Sequence, residues 1–120
     1  MTDSIPDAVL ARFTAAEASL LIDLRRDLHA HPELSWKEVR TQDRLEAALR
    51  GAGISDVRRI ARTGLVARIP GRVEGAPVIA LRGDIAALPI HEATGLSYAS
   101  LTDGVMHACG HDVHASWAVG

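Results

Sequence analysis

The spacing of apolar residues changes at Gly51 and Gly53, and this change restricts the possible folds more than any other feature of the chain. Before these glycines, from Pro6 to about Ala30, apolar residues recur every three or four positions, the period of a helix with one buried face. After them, short β-branched runs stand between turn residues, which is typical of strands. These runs are 57–60, 65–69 and 78–81. The sequence therefore predicts an α/β fold, a helical pair followed by a small and at least partly antiparallel sheet.

Two helices are predicted in the first half. The first extends from Pro6 to about Ala30, because Pro32 disfavours helical geometry at the residue before it. The second opens at Ser35-Trp36-Lys37-Glu38, where Ser followed three residues later by Glu is a capping-box pattern. It is expected to turn three apolar residues inward, namely Val39, Leu45 and Leu49.

The strand with the most apolar sequence is predicted at residues 77–82. Because nearly all its residues are apolar, it is expected to be central and buried on both faces, paired with 65–69 across a loop of six or seven residues. Residues 83–110 are expected to form mainly loop, a usual place for ligand-binding groups after a buried strand. A further helix is expected to start near His111 or Asp112.

The charge pattern and the single cysteine narrow the possible classes of protein. The formal net charge is −2, and no run of Lys and Arg exceeds two residues, which excludes the basic footprint of a nucleic-acid-binding protein. Neither a signal peptide nor an apolar membrane span is recognised, so no membrane partner is predicted. Cys109 cannot form an intramolecular disulfide, which suits a cytoplasmic location.

Four potential metal ligands lie within eight residues near the end of the chain: His107, Cys109, His111 and His114. Thiolate and imidazole groups suit zinc, cobalt, nickel or iron. Asp112 could orient a ligating imidazole from outside the metal's own ligand set. The alternative interpretation is a chance cluster of surface histidines beside a small core cysteine.

Several stretches together resemble the amidohydrolase branch of the dinuclear zinc peptidase superfamily, which includes hippurate hydrolases, auxin-conjugate hydrolases and N-acyl-amino-acid amidohydrolases. They occur in the order of that family and at about its spacing. The stretches are Arg25 to Ser35, Thr63 to Ala67, Ala80 to Asp84 with Ala87 to Ile90, and Gly104 to Asp112.

The resemblance implies a divalent metal cofactor, two ions per full-length site, with zinc, manganese, cobalt and nickel all open. It implies that Cys109 and His111 bind metal directly and that Asp84 lies near the ions without binding them. The other ligands, a glutamate and two histidines, and the glutamate that acts as general base map to no position of these 120 residues. The catalytic residues are therefore left unassigned.

The resemblance also sharpens the expected fold and domain organisation. Residues 1–120 are expected to form the N-terminal portion of a mixed-sheet catalytic domain like that of zinc exopeptidases, and this portion is incomplete. Members of the family often carry a smaller domain that mediates dimerisation, and this domain has no counterpart in residues 1–120. The resemblance to the family therefore implies that the full-length protein is a homodimer.

Other polar residues keep open roles. His114 follows His111 by one helical turn and is either a ligand or a residue of the helix surface. His107 is expected to line the site. His29 and His31 match the family pattern, but the favoured role for both is a favourable interaction with the end of a helix. Position 86 is Ala in this chain, whereas the family usually has a second Asp there. The absence of this second carboxylate is expected to weaken the orientation of a ligand.

The implied activity is metal-dependent hydrolysis of N-acyl amino acids or related small amides through a metal-activated water. The alternative is a truncated, catalytically inactive fragment that binds at most one metal weakly. A third interpretation, a small module that uses His107, Cys109, His111 and His114 as a complete site, would crowd four ligands around one ion.

Overall fold

The computed structural model describes residue 8 and residues 11–120 of the chain. Within the described residues, three helices and one two-stranded sheet have defined bounds, and residue 8 is also helical. In chain order these elements are α1 (Ala15–Ala30), α2 (Val39–Gly51), β1 (Val57–Ile60), β2 (Gly64–Ala67) and α3 (His111–Val119). Among the described residues, no helix is long and apolar enough to span a bilayer.

Helix α1 is shorter at its start than the sequence predicts. Residues 11–14 are not helical, and the rest of the predicted extension towards Pro6 lies outside the described residues apart from residue 8. The helix begins at Ala15 because Thr14 and Glu17 form a capping box. The backbone N–H of Glu17 donates to Thr14 Oγ1 at 3.2 Å, and the backbone N–H of Thr14 donates to the Glu17 carboxylate at 2.7 Å. The predicted end at Ala30 is confirmed.

Helix α2 starts at Val39, and the capping box predicted from Ser35 is wrong. The N-cap residue Glu38 makes no side-chain cap, because its carboxylate accepts a hydrogen bond from the Thr63 hydroxyl at 2.7 Å. Glu33 satisfies the helix start instead. Its carboxylate accepts from the backbone N–H groups of Arg40 at 3.1 Å and Thr41 at 2.7 Å.

The predicted inward face of α2 is partly confirmed. Leu45 and Leu49 are buried, whereas Val39 is 57% exposed. Val39 is the first residue of the helix, whereas Leu45 and Leu49 lie in its middle and last turns.

Strands β1 and β2 form an antiparallel hairpin, which confirms an antiparallel element in the sheet. The paired residues are Val57 with Ala67, Arg58 with Val66, Arg59 with Leu65 and Ile60 with Gly64. The turn between them places Ala61 (φ 46°) and Arg62 (φ 71°) in the left-handed region, which is unusual for residues with side chains. This tight turn brings β2 alongside β1 rather than alongside residues 78–81.

The predicted central strand at 77–82 is wrong for the described part of the chain. These residues belong to no strand, and Val78 and Ile79 are 92% and 89% exposed. A strand needs a neighbour to accept and donate its ladder hydrogen bonds. No described strand lies beside this segment, so the apolar run is extended but uncovered.

The core lies where α1, α2 and α3 meet. Its buried members are Leu24, Leu28, Leu45 and Ala115, with Ala48, Leu65, Ile85 and Val119 packed around them. The core is therefore aliphatic. Two isolated β-bridges hold the long loop of residues 83–110 in place. Leu34 pairs with Ala87 in parallel orientation, and Leu88 pairs with Met106 in antiparallel orientation. Residues 83–110 otherwise lack regular structure, as predicted, and α3 starts at the predicted place.

We predict that Leu28→Ala lowers the free energy of unfolding by about 2–5 kcal/mol, because it opens a cavity at a side chain that is only 1% exposed. Urea denaturation followed by circular dichroism measures the change. Leu20→Ala is the matched control on the same helix, since Leu20 is 68% exposed, and its effect is expected within about 0.5 kcal/mol. Equal effects of the two substitutions would contradict this placement of the core.

Candidate metal centre

The first turn of α3 carries the predicted metal-binding segment. Gly110 is the N-cap residue and adopts a left-handed conformation with φ 79°, which lets the loop turn sharply into the helix. Cys109 lies exposed on the loop side of this turn, and His111 is the first residue of the helix. The two predicted ligands are thus separated by the turn itself.

Three potential metal ligands meet at this end of α3. One ligand atom each from Asp84, His111 and His114 lies within 4.8 Å of the other two, and all three residues are partly buried. The rings of His111 and His114 are 5.6 Å apart between centroids, as expected for residues one helical turn apart. Asp84 reaches them from the loop that follows residues 77–82.

The imidazole of His111 is held in one orientation by the backbone. Its Nδ1 lies 2.7 Å from the carbonyl oxygen of Ala86. A carbonyl only accepts, so Nδ1 carries the proton and Nε2 keeps a free lone pair, the form that binds a metal. The carbonyl group does this whatever the side chain at Ala86. The expectation that the missing Asp weakens the orientation of a ligand stays a prediction.

The donor set fits a divalent transition-metal ion. Imidazole nitrogens and carboxylate oxygens bind such ions at about 2.0–2.2 Å in roughly tetrahedral geometry, so two ligand atoms on one ion lie about 3.5 Å apart. The three ligand atoms of this group lie within 4.8 Å of one another, so they would have to move closer together around an ion. Arg82 forms an ion pair with Asp84 and would have to release the carboxylate when an ion binds.

Cys109 does not belong to this group. Within residues 11–120, the only set of three or more such ligands consists of Asp84, His111 and His114. Metal binding by Cys109 stays a prediction from the family resemblance. His114, in contrast, lies close to Asp84 and His111. The sequence had left open whether His114 is a metal ligand or a residue of the helix surface.

A buried charged network lies directly behind the site. Asp112 Oδ2 lies 2.8 Å from His29 Nδ1 and 2.8 Å from Arg25 Nε. His29 Nε2 lies 3.1 Å from Glu92 Oε1. Both ring nitrogens of His29 therefore face carboxylate oxygens. The network joins α1, the long loop and the start of α3.

His29 and His31 both lie at the end of α1, as predicted, and His29 is a residue of its last turn. The ring of His29 has a further role that was not predicted, because it is only 3% exposed and pairs with side chains distant in sequence. His31 Nδ1 instead lies 2.9 Å from the carbonyl oxygen of Asp27 at the end of α1. Asp112 contacts the imidazole of His29, which is not a predicted metal ligand, so its predicted role in orienting a ligating imidazole stays a prediction. No local pattern indicates the pairing of His29 with Asp112, because 83 positions separate the two residues.

Glu92 is the second carboxylate of the network and was not predicted. Burial raises its pKa, but hydrogen bonds from the Thr94 hydroxyl, the Ser100 backbone N–H and His29 outweigh burial. Together they lower the pKa of Glu92 from 4.5 to about 2. Glu92 therefore stays ionised at neutral pH and fixes the loop against α1.

His107 is buried beside the network rather than on the open side of the site. It is 5% exposed, and neither ring nitrogen has a hydrogen-bond partner among the described residues. Burial lowers the pKa of His107 and outweighs the opposing effect of Asp112, so the ring is neutral. The expectation that His107 lines the site remains a prediction.

The known proteins to which this chain is similar include a deacetylase and an amidohydrolase. No family model matches the chain. It is 52% identical over 102 residues to an N-acetylcysteine deacetylase of Bacillus subtilis and 43% identical over 100 residues to an N-acyl-L-amino acid amidohydrolase of Geobacillus stearothermophilus. Each match covers 83% of this chain but only 26% and 27% of the relative, so the chain spans about a quarter of their length.

A solved structure shows the same fold. It is a dinuclear metal-binding peptidase of the M20 family from Bacillus subtilis, with 47% identity and a TM-score of 0.83. The likeness covers 88% of this chain and 30% of that one. The predicted α/β fold class is therefore confirmed, and in that structure the fold is part of a larger whole.

We predict that Glu92→Gln reduces the acid sensitivity of the fold. A carboxyl group with a lowered folded-state pKa contributes stability above its unfolded pKa and loses it as the pH falls through the folded pKa. The free energy of unfolding of the unmodified chain should exceed that of Glu92→Gln above pH 4.5, and the difference should disappear as the pH falls to about 2. Urea denaturation at a series of pH values measures it.

The control for this comparison is Asp103→Asn, which removes an exposed carboxylate that pairs with His91 at the surface. Its difference from the unmodified chain should be small throughout the series. A Glu92→Gln difference that stays constant from neutral pH to pH 2 would contradict the role given to Glu92.

Proposed function

We propose that this chain is part of an amidohydrolase of the M20 family of dinuclear metal-binding peptidases and takes part in the hydrolysis of N-acyl amino acids or related small amides. Residues 1–120 would form the N-terminal portion of the catalytic domain of such an enzyme. The observation that supports this most is His111 at the start of α3, whose Nδ1 is held by the Ala86 carbonyl group and which lies close to Asp84.

The chain supplies some of the metal-binding groups and a rigid frame for them. His111, and Cys109 by family resemblance, would hold divalent metal, with Asp84 close by. Such an ion lowers the pKa of a bound water towards neutrality and polarises a carbonyl oxygen. The chain's own contribution is positional: the Ala86 carbonyl orients His111, and the pair of His29 and Asp112 anchors the helix that carries it. We assign no catalytic base within the chain.

The finer points of the proposal follow from the family. Zinc, manganese, cobalt and nickel all suit imidazole and carboxylate ligands with or without a thiolate. We propose a small-molecule amide as the substrate, a homodimer as the assembly of the full-length protein and a cytoplasmic location. The names of the relatives suggest an acetyl or other acyl group on an amino acid as the bond that is cleaved.

A second candidate function is metal binding without turnover. The group of Asp84, His111 and His114 is contained in this chain, whereas the family resemblance places further ligands and the base elsewhere. An isolated chain with these groups alone would bind one ion and leave amides intact.

We predict that this segment can support amide hydrolysis in a complete enzyme. In the chimera to be tested, these residues replace the matching part of the Bacillus subtilis N-acetylcysteine deacetylase, which is 52% identical. The chimera is expected to hydrolyse N-acetyl-L-cysteine, and His111→Ala in it to lower kcat/KM by at least ~100-fold, because a lost metal ligand costs more than a lost outer hydrogen bond. Release of the free amine is the measurement.

The control in the chimera is His91→Ala, which removes an exposed histidine paired with Asp103 away from the site and should leave kcat/KM within threefold. A folded chimera that fails to hydrolyse the substrate would favour the second candidate, metal binding without turnover.

A further inference from the structure

We propose that Trp36 and Arg62 form a docking site for an acidic peptide segment of another protein. The indole ring offers an apolar surface, and the guanidinium group offers hydrogen-bond donors to a carboxylate. The site uses none of the predicted metal ligands, and the proposal does not rest on the proposed hydrolysis.

The two side chains lie together at the surface where the hairpin turn meets the start of α2. The Cζ atom of Arg62 lies 5.6 Å from the centroid of the Trp36 ring, within the range of a cation–π interaction. Trp36 is nevertheless 60% exposed, so most of its surface is available to a partner. A guanidinium group over a ring keeps N–H groups available, and its planar fork matches the two oxygens of a carboxylate.

The positive charge of Arg62 is not balanced by a carboxylate within residues 11–120. Glu38 is the acidic residue next to Lys37, but it is 5% exposed and accepts a hydrogen bond from the Thr63 hydroxyl at 2.7 Å instead. The arginines of α2 and of the hairpin strands, in contrast, each pair with Asp or Glu. They are Arg40, Arg44, Arg50, Arg58 and Arg59. A carboxylate from outside the chain would give Arg62 the partner that these arginines already have.

Both residues adopt a backbone conformation that is rare for residues with side chains. Trp36 has φ 65° and Arg62 has φ 71°, which are in the left-handed region. Such conformations persist where the surrounding structure imposes them, and they are concentrated at ligand-binding and catalytic sites. That two of them carry the two side chains of one surface pair supports a binding role for the pair.

Hydrogen bonds around the start of α2 hold this pair in place. The backbone N–H of Lys37 donates to a carbonyl oxygen three positions earlier at 2.9 Å, which closes the turn that contains Trp36. The side chain of Gln42 donates to the carbonyl oxygens of Arg62 at 3.3 Å and Gly64 at 2.9 Å. Because the backbone on both sides is restrained in advance, less conformational entropy is lost when a partner binds.

The chemistry of the pair favours an acidic peptide over other anionic partners. Trp and Arg are enriched among the residues that contribute most to protein–protein binding. A nucleic acid needs a broad basic surface, which the net charge of −2 does not supply. A peptide with a carboxylate beside an apolar side chain satisfies both parts of the site, since the carboxylate binds Arg62 and the apolar group covers Trp36.

Titration of the ¹⁵N-labelled 120-residue chain with a model peptide, followed by NMR, tests the site. The probe is a ten-residue peptide with glutamates and leucines among glycines, and the comparison peptide has glutamines in place of the glutamates. The chain has two tryptophans, and the indole N–H signal lost in Trp36→Asn is that of Trp36. We expect the glutamate peptide to shift this signal saturably and the glutamine peptide to bind at least ~10-fold more weakly, because charge-assisted hydrogen bonds are the stronger ones.

Arg62→Asn is the decisive variant, because Asn tolerates the left-handed conformation and the Trp36 signal remains. It should weaken binding of the glutamate peptide by at least ~10-fold. Arg58→Gln is the matched control. It removes the same charge from the same hairpin, but Arg58 already pairs with Asp56 at the surface, so binding should change by less than about threefold.

Four results would overturn the proposal. They are no shift of the Trp36 signal, equal binding of the two peptides, equal binding by Arg62→Asn and the unmodified chain, and equally tight binding of free L-glutamate, which would indicate a simple anion site. If Trp36→Asn does not fold, Trp117→Phe assigns the same two signals. The titration involves neither metal nor hydrolysis, so its failure is distinguishable from failure of the proposed function.

Discussion

The buried contact between His29 and Asp112 is the interaction on which the arrangement of the site depends. A carboxylate that is 1% exposed is costly unless charged or hydrogen-bonded groups surround it, and Asp112 has both His29 and Arg25 at 2.8 Å. Because Asp112 follows His111 directly, fixing one fixes the other. The pairing joins the end of α1 to the start of α3 and so places the predicted metal ligands on a rigid base.

Local sequence patterns predicted the elements whose stability is local. The end of α1 before Pro32, the hairpin strands near residues 57 and 65 and the start of α3 follow from proline, β-branched runs and glycine. The chemistry of the 107–114 segment could also be read from residue types alone. Four matching stretches then pointed to the fold, which a solved structure shares, and to amidohydrolases, to one of which the chain is similar.

Features that depend on distant contacts could not be predicted in the same way. Glu33 caps α2 from outside the helix, which frees Glu38 to bind Thr63, and a local capping pattern cannot show that exchange. His29 has its partner 83 positions away. Asp84 likewise lies close to His111 and His114 only in the folded chain, because the three residues come from segments that are distant in the sequence.

The uncovered segment around residues 78–81 has a consequence for the behaviour of this chain in solution. Val78, Ile79 and Leu81 are more than four-fifths exposed, and no described strand pairs with them. An extended, uncharged, β-branched run of this kind presents its backbone groups to any similar strand, including the same run in another molecule. Self-association at this run would grow with protein concentration, so the solubility of the chain depends on what covers four residues remote from its core.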